Sequence, residues 1–166
     1  TSGGTGSVTY NNVDPDNTYG VTETVPAGWK LVGYVVSTAE PNTAFHVAAG
    51  GTTTVTVTDK KLGTIVVVKN TIGGDGTFSF TGTGGSNLPA SFSITTAAGT
   101  GSQTYNNIDP DLTYGVVETV PGGWKLVGYV VSTGEPNTAF HVAAGGTTTV
   151  TVTDKKLGTI VVVKNT

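Results

Sequence analysis

"TYNNIDPDLTYGVVETVPGGWKLVGYVVSTGEPNTAFHVAAGGTTTVTVTDKKLGTIVVVKNT" fills residues 104–166. Almost the same string, "TYNNVDPDNTYGVTETVPAGWKLVGYVVSTAEPNTAFHVAAGGTTTVTVTDKKLGTIVVVKNT", has already run through residues 9–71. Tyr10 returns as Tyr105, so the period is 95 residues. That is far longer than a solenoid repeat and suits one small β-sandwich. Working outward, a unit begins naturally at "GTIVVVKNT", just after the last strand of the unit before it. This frame predicts one complete unit over residues 63–157, an incomplete unit lacking its first strands over 1–62, and the opening strand of a third over 158–166. The chain then reads as an excerpt from a longer tandem array. The junction "DKKLGT" holds no Ser/Pro-rich linker, which predicts units set end to end as a rod.

Within the complete unit the strands are punctuated by Gly- and Pro-containing turns: "TIVVVKN", "TFSFTGT", "ASFSITT", "SQTYNNI", "TYGVVETV", "WKLVGYVVS", "NTAFHVA" and "TTTVTVTD". β-Branched residues favour such pleated surfaces. The predicted fold is all-β: tandem antiparallel β-sandwich domains of immunoglobulin-like or prealbumin-like shape.

Composition narrows the function. Only 11% of the 166 residues are charged and the net charge is −3, so no basic stripe offers a footprint for nucleic acid. No apolar run approaches the length of a membrane span, and no signal peptide or sorting tail is visible. There is no Cys, so no disulfide can staple a small β domain.

Strand parity then exposes three polar residues where apolar ones belong. In "TVTVTD", Val150, Val152 and Asp154 share the core face. Ile65, Val67 and Lys69 share parity, and Glu118 falls in line with Tyr114, Val116 and Val120. Val117, of opposite parity, is Thr22 in the first copy, as an outward position tolerates. Isolated buried charges are expensive, and burial favours the neutral forms of both groups, free amine and carboxylic acid. Those are the reactants for an amide. Condensation of Lys69 with Asp154, with Glu118 moving the proton, would remove both charges and tie the first strand to the last. The alternatives are a solvated Lys69–Asp154 salt bridge at the strand ends, worth about 0–1 kcal/mol, and a Glu118 that is simply hydrogen-bonded to backbone.

"GTIVVVKNT", "YGVVETVPGGW" and "TVTVTDKK" together resemble the collagen-adhesin B-type, or prealbumin-like (SpaA-like), repeat domains of bacterial surface proteins and pilins. The resemblance spans the complete unit. It implies a Lys in the first strand, a Glu in a "Y-x-V-x-E-T-x-x-P-x-G-aromatic" run, and Asn or Asp in the last strand, joined as an intramolecular isopeptide bond promoted by the Glu. Lys69, Glu118 and Asp154 match these positions one by one. Trp124 stands where Tyr is common. Asp stands where Asn is frequent, so water rather than ammonia would leave. The incomplete unit keeps Glu23 and Asp59 without a Lys strand, and the terminal stretch keeps Lys164 without a carboxylate partner. Lys164 is expected to pair with a following unit or, by strand donation, with Asp59 of another copy.

Other motifs carry less. Asp109 and Asp111, like Asp14 and Asp16, have turn spacing rather than that of a calcium loop, so no metal is expected. His46 and His141 stand without a second ligand and read as edge-strand residues. The Gly-rich "GTGSQ" and "GTGGS" lack the Lys and helix of a phosphate loop, and no cofactor is expected. Trp29, Trp124, Tyr34 and Tyr129 could form a carbohydrate-binding surface, against which stands ordinary core packing. The expectation is a non-enzymatic, extracellular, cell-surface stalk or filament segment whose partners are neighbouring repeats. An adhesin module gripping a host or matrix ligand is the alternative from another class.

Overall fold

The computed structural model describes residues 4–166. The chain forms two compact units: a first built from the chain through Pro26 and Leu31–Asp59, and a second from Ala27–Lys30 and Lys60–Thr166. Nine strands and no helix occur among the described residues.

The second unit contains β3 (Gly63–Ile72), β4 (Thr77–Thr83), β5 (Phe92–Thr95), β6 (Thr100–Ile108), β7 (Gly115–Thr119), β8 (Trp124–Val131) and β9 (Thr147–Lys156). They form a four-stranded sheet in the order β6-β3-β9-β8 and a three-stranded sheet in the order β5-β4-β7. β3 is the centre of the arrangement. It runs antiparallel to β6 and parallel to β9, so the opening and closing strands of the unit lie side by side. Its Ile65 and Val67 are fully buried with Val150 and Val152 of β9, while Phe78 and Phe80 of β4 close the core from the other sheet. The intervening residues Thr64, Val66 and Val68 are only half-buried, as an alternating strand requires. After β3 the chain reverses through Gly73 and Gly74, both at positive φ, where a side chain would be strained. Asp75 fastens that reversal by accepting the backbone N–H groups of Ala98 and Gly99 at 3.0 and 2.8 Å.

Seven of the eight expected segments are strands, and the eighth is not. "NTAFHVA" forms only an isolated bridge, Tyr114 to Phe140. The Glu135 carboxylate accepts the His141 N–H at 3.0 Å, taking the bond that a neighbouring strand would otherwise receive. His141 is therefore a loop residue next to a bridge, not an edge-strand residue.

The first unit is sparser. It holds most of β1 (Trp29–Val36) and β2 (Val55–Lys61), which pair with each other as a two-stranded sheet. "YGVTETV", whose later copy supplies β7, contributes here only the Tyr19–Phe45 bridge. "TYNN", whose later copy lies in β6, is irregular. The reason is pairing: β7 is held by β4 and β6 by β3, and the first unit has no counterpart of either strand among the described residues.

Candidate functional site

The pleat carries Lys69, Glu118 and Asp154 to one place. Lys69 follows Ile65 and Val67 along the buried side of β3, and Asp154 follows Val150 and Val152 along that of β9. In the parallel register Lys69 is opposite Val152 and Thr71 is opposite Asp154. The carboxylate thus sits two residues along from the lysine's own partner, within reach of a long side chain on the same face. Glu118 arrives from the facing sheet on β7, behind the buried Val116.

All three side chains are sealed from solvent. Lys69 Nζ lies 2.8 Å from Glu118 Oε1, 2.9 Å from Glu118 Oε2 and 2.9 Å from Asp154 Oδ1. Lys69 donates its hydrogen bond to Glu118 Oε2, whereas the approach to Asp154 is close without being aligned for one. Both Asp154 oxygens are buried with no hydrogen-bond partner. Burial pushes the Glu118 carboxyl above the usual carboxylate range, with the Lys69 ammonium pulling the other way and the Asp154 charge adding to the rise. A carboxyl so poised can take and return a proton at the Lys69–Asp154 contact.

Two further residues complete the chamber. The Phe78 ring lies 4.4 Å from Lys69 Nζ and walls the amine from water. The Tyr129 hydroxyl accepts the Glu118 backbone N–H at 2.8 Å, fixing the strand that carries the acid. Neither role was read from the sequence. For Tyr129 the signal was present, because the first copy keeps the same eleven-residue spacing: the Tyr34 hydroxyl accepts the Glu23 N–H at 2.7 Å. For Phe78 the sequence carries no such mark.

In the first unit Glu23 is exposed and Asp59 half-buried. Loss of hydration raises the Glu23 carboxyl, and the adjacent Asp59 raises it further. Asp59 Oδ1 is buried without a hydrogen-bond partner. Lys164 lies in the exposed irregular stretch 157–166.

The remaining candidates resolve into structural roles. In the second unit Asp109 and Asp111 hold lysines, Lys30 at 2.6 Å from Asp109 Oδ2 and Lys60 against Asp111. Among the described residues no group of three or more His, Cys, Asp or Glu is placed to hold a metal ion. Trp124 packs edge-on against Phe78 at 5.0 Å between ring centres, as part of the core rather than a sugar platform. His141 Nδ1 is paired with Glu135 Oε1 at 2.6 Å, and His46 with Glu40 at 2.7 Å.

A family model described as a prealbumin-like fold domain matches residues 65–161. Among solved structures, the major pilin protein (T-13) from Streptococcus pyogenes serotype GAS131465 is similar, with a TM-score of 0.43 and 12% identity over 90% of this chain and 69% of that one. No curated protein matches.

Proposed function

Because the chain belongs to the prealbumin-like fold domain family, which is structural rather than enzymatic, we propose that it is a segment of an extracellular surface stalk or filament. It is built of tandem β-sandwiches, each complete one locked by a Lys–Asp isopeptide bond. Residues 63–157 are the complete domain, 1–62 the incomplete one, and 158–166 the first strand of the next. The observation that carries this reading is the sealed contact of Lys69, Glu118 and Asp154 within 2.9 Å.

The chemistry balances within the triad. Glu118 accepts a proton from the Lys69 ammonium, and the freed amine attacks Cγ of Asp154. The C–N bond forms as a C–O bond breaks. The oxygen leaves as water, carrying the proton returned by Glu118 and the second hydrogen lost from nitrogen. A dry chamber favours expulsion of that water and strengthens every charge interaction along the path.

The mechanical consequence follows from where the bond lies. Force enters the second unit at β3 and leaves at β9, which are neighbours in one sheet. A link from Lys69 to Asp154 passes tension directly between them and takes everything in between out of the force path. By analogy with a disulfide closing a loop of similar length, it also stabilises the domain by about 4–5 kcal/mol on the chain-entropy account. This is the staple that a chain with no Cys otherwise lacks.

Intact mass spectrometry of the whole chain tests the bond, beside Lys69→Ala and Glu118→Ala. The expected wild-type mass is lighter than the sequence mass by one water, with both variants at full mass. A wild-type chain at full mass would overturn the crosslink.

A further inference from the structure

The antiparallel bridge between Tyr114 and Phe140 sets their neighbours Thr113 and His141 opposite each other. Thr113 Oγ1 lies 3.1 Å from His141 Nε2, and His141 Nδ1 lies 2.6 Å from Glu135 Oε1. The carboxylate is itself held. Its Oε2 accepts the Thr133 hydroxyl at 2.8 Å and the His141 backbone N–H at 3.0 Å. The Thr148 hydroxyl donates to the His141 carbonyl at 2.9 Å and fixes the same residue from the other side. Hydroxyl, imidazole and carboxylate thus form an ordered relay, with Thr113 exposed at its head.

The first unit builds the relay again. Beside the Tyr19–Phe45 bridge, Thr18 Oγ1 lies 3.1 Å from His46 Nε2, and His46 Nδ1 lies 2.7 Å from Glu40 Oε1. The carboxyls of both relays are held down to about 2, so each is ionised at neutral pH. In the neutral imidazole the proton therefore sits on Nδ1, against the carboxylate, and the Nε2 lone pair faces the hydroxyl. A nucleophile within hydrogen-bond reach of a base that a third group orients is the arrangement acyl transfer requires.

We propose that Thr113 and Thr18 are acyl-acceptor sites, each a hydroxyl activated by its own His–Glu pair to attack a small activated ester. His141 Nε2 takes the hydroxyl proton as Thr113 Oγ1 attacks the acyl carbon. The C–O bond to the departing alcohol breaks, and that oxygen leaves with the proton from Nε2. The product is an ester on the threonine, a single modification of the chain and not a turnover. Glu135 touches no reacting atom; it is a positioning residue that holds the imidazole. The acyl group has a place to lie in the second unit. A shallow hollow lined by Gly84, Gly85, Ser86, Leu88 and Pro89 borders Thr113, whose carbonyl oxygen would be only 2.5 Å from a Cβ on Gly84. That lining carries no charge, which suits a small neutral acyl group. None of this rests on the Lys69–Asp154 bond.

The test treats the full chain with p-nitrophenyl acetate and maps the acetyl groups by peptide mass spectrometry. Mapping is repeated after neutral hydroxylamine, which removes esters and spares the amides formed on lysines. The expected result is a hydroxylamine-labile acetyl on Thr113 and another on Thr18. Thr113→Val should remove the first and keep the second. His141→Gln should slow labelling of Thr113 by about 100-fold, the low end for loss of a general base, and leave Thr18 unchanged. His46→Gln should do the reverse, so each relay controls for fold and reagent in the other. Glu135→Gln should also slow Thr113, and Glu135→Asp should restore part of the rate. Absence of a labile acetyl from both threonines would overturn the proposal. So would labelling spread over other exposed threonines, or labelling of Thr113 that survives His141→Gln at the full rate.

Discussion

Val152 in β9 is fully buried, whereas Val57, the same residue in the same string one period earlier, is 36% exposed. Tyr114 is likewise buried and followed by strand β7, whereas Tyr19 is half-buried and followed by irregular chain. Sequence is almost constant across this comparison, so local preference cannot be the cause. The neighbouring strands differ. β9 leans on β3, and β7 leans on β4, whose Phe78 and Phe80 fill the core. A strand of alternating Thr and Val is thus a conditional element: its backbone and its buried face need a partner from far along the chain.

The largest difference between the two units should appear under force. In single-molecule pulling, the wild-type second unit should release no length from the residues between Lys69 and Asp154. Lys69→Ala should release about 300 Å from the same stretch, at the extended-chain limit of roughly 3.6 Å per residue. The first unit should extend at low force in both proteins. Equal extension of the second unit with and without Lys69 would break the comparison at its root.

A smaller contrast concerns the core. Val152→Ala should destabilise the second unit by about 2 kcal/mol, through lost burial and the cavity left beside Lys69. Val57→Ala should cost within about 0.5 kcal/mol, as exposed substitutions do. Denaturant-dependent amide hydrogen exchange, followed separately over Leu31–Asp59 and over β8 and β9, would separate the two. If an added peptide of the β3 sequence GTIVVVKNT raised the cost of Val57→Ala towards that of Val152→Ala, the neighbour strand would be shown as the missing ingredient. Equal costs in the unbound chain would mean that β2 is already covered.

What could be read from the sequence follows the same division. Period-2 parity places Lys69, Glu118 and Asp154 on the buried side because alternation survives in any paired strand. Their meeting was legible only because two copies fix the frame of the unit, making β3 and β9 its first and last strands. The failure at "NTAFHVA" has a side-chain cause that parity cannot see. Glu135, six residues before His141, takes both its ring Nδ1 and its backbone N–H, so the segment closes as a local loop. The Phe78 wall was also invisible, since it depends on how the two sheets are set face to face.

That local clip supplies the smallest expected effect, because it should not differ between the copies. Glu40 and Glu135 are each held down to about 2 from 4.5, chiefly by the hydrogen bond with the neighbouring His, together with a Thr hydroxyl and the His backbone N–H. A carboxyl depressed in the folded state binds fewer protons there than in the unfolded chain. The clip's contribution is therefore fully present above about pH 4.5 and fades as pH falls towards 2. Both carboxyls are only half-buried, so the effect is modest and weakened by salt. NMR titration of the two side chains should give matching midpoints near 2 in the full chain. Matching values would show that interactions within six residues form without the long-range partner strand. A Glu40 midpoint near its ordinary value beside a depressed Glu135 would show instead that even this loop waits for the sheet to be completed.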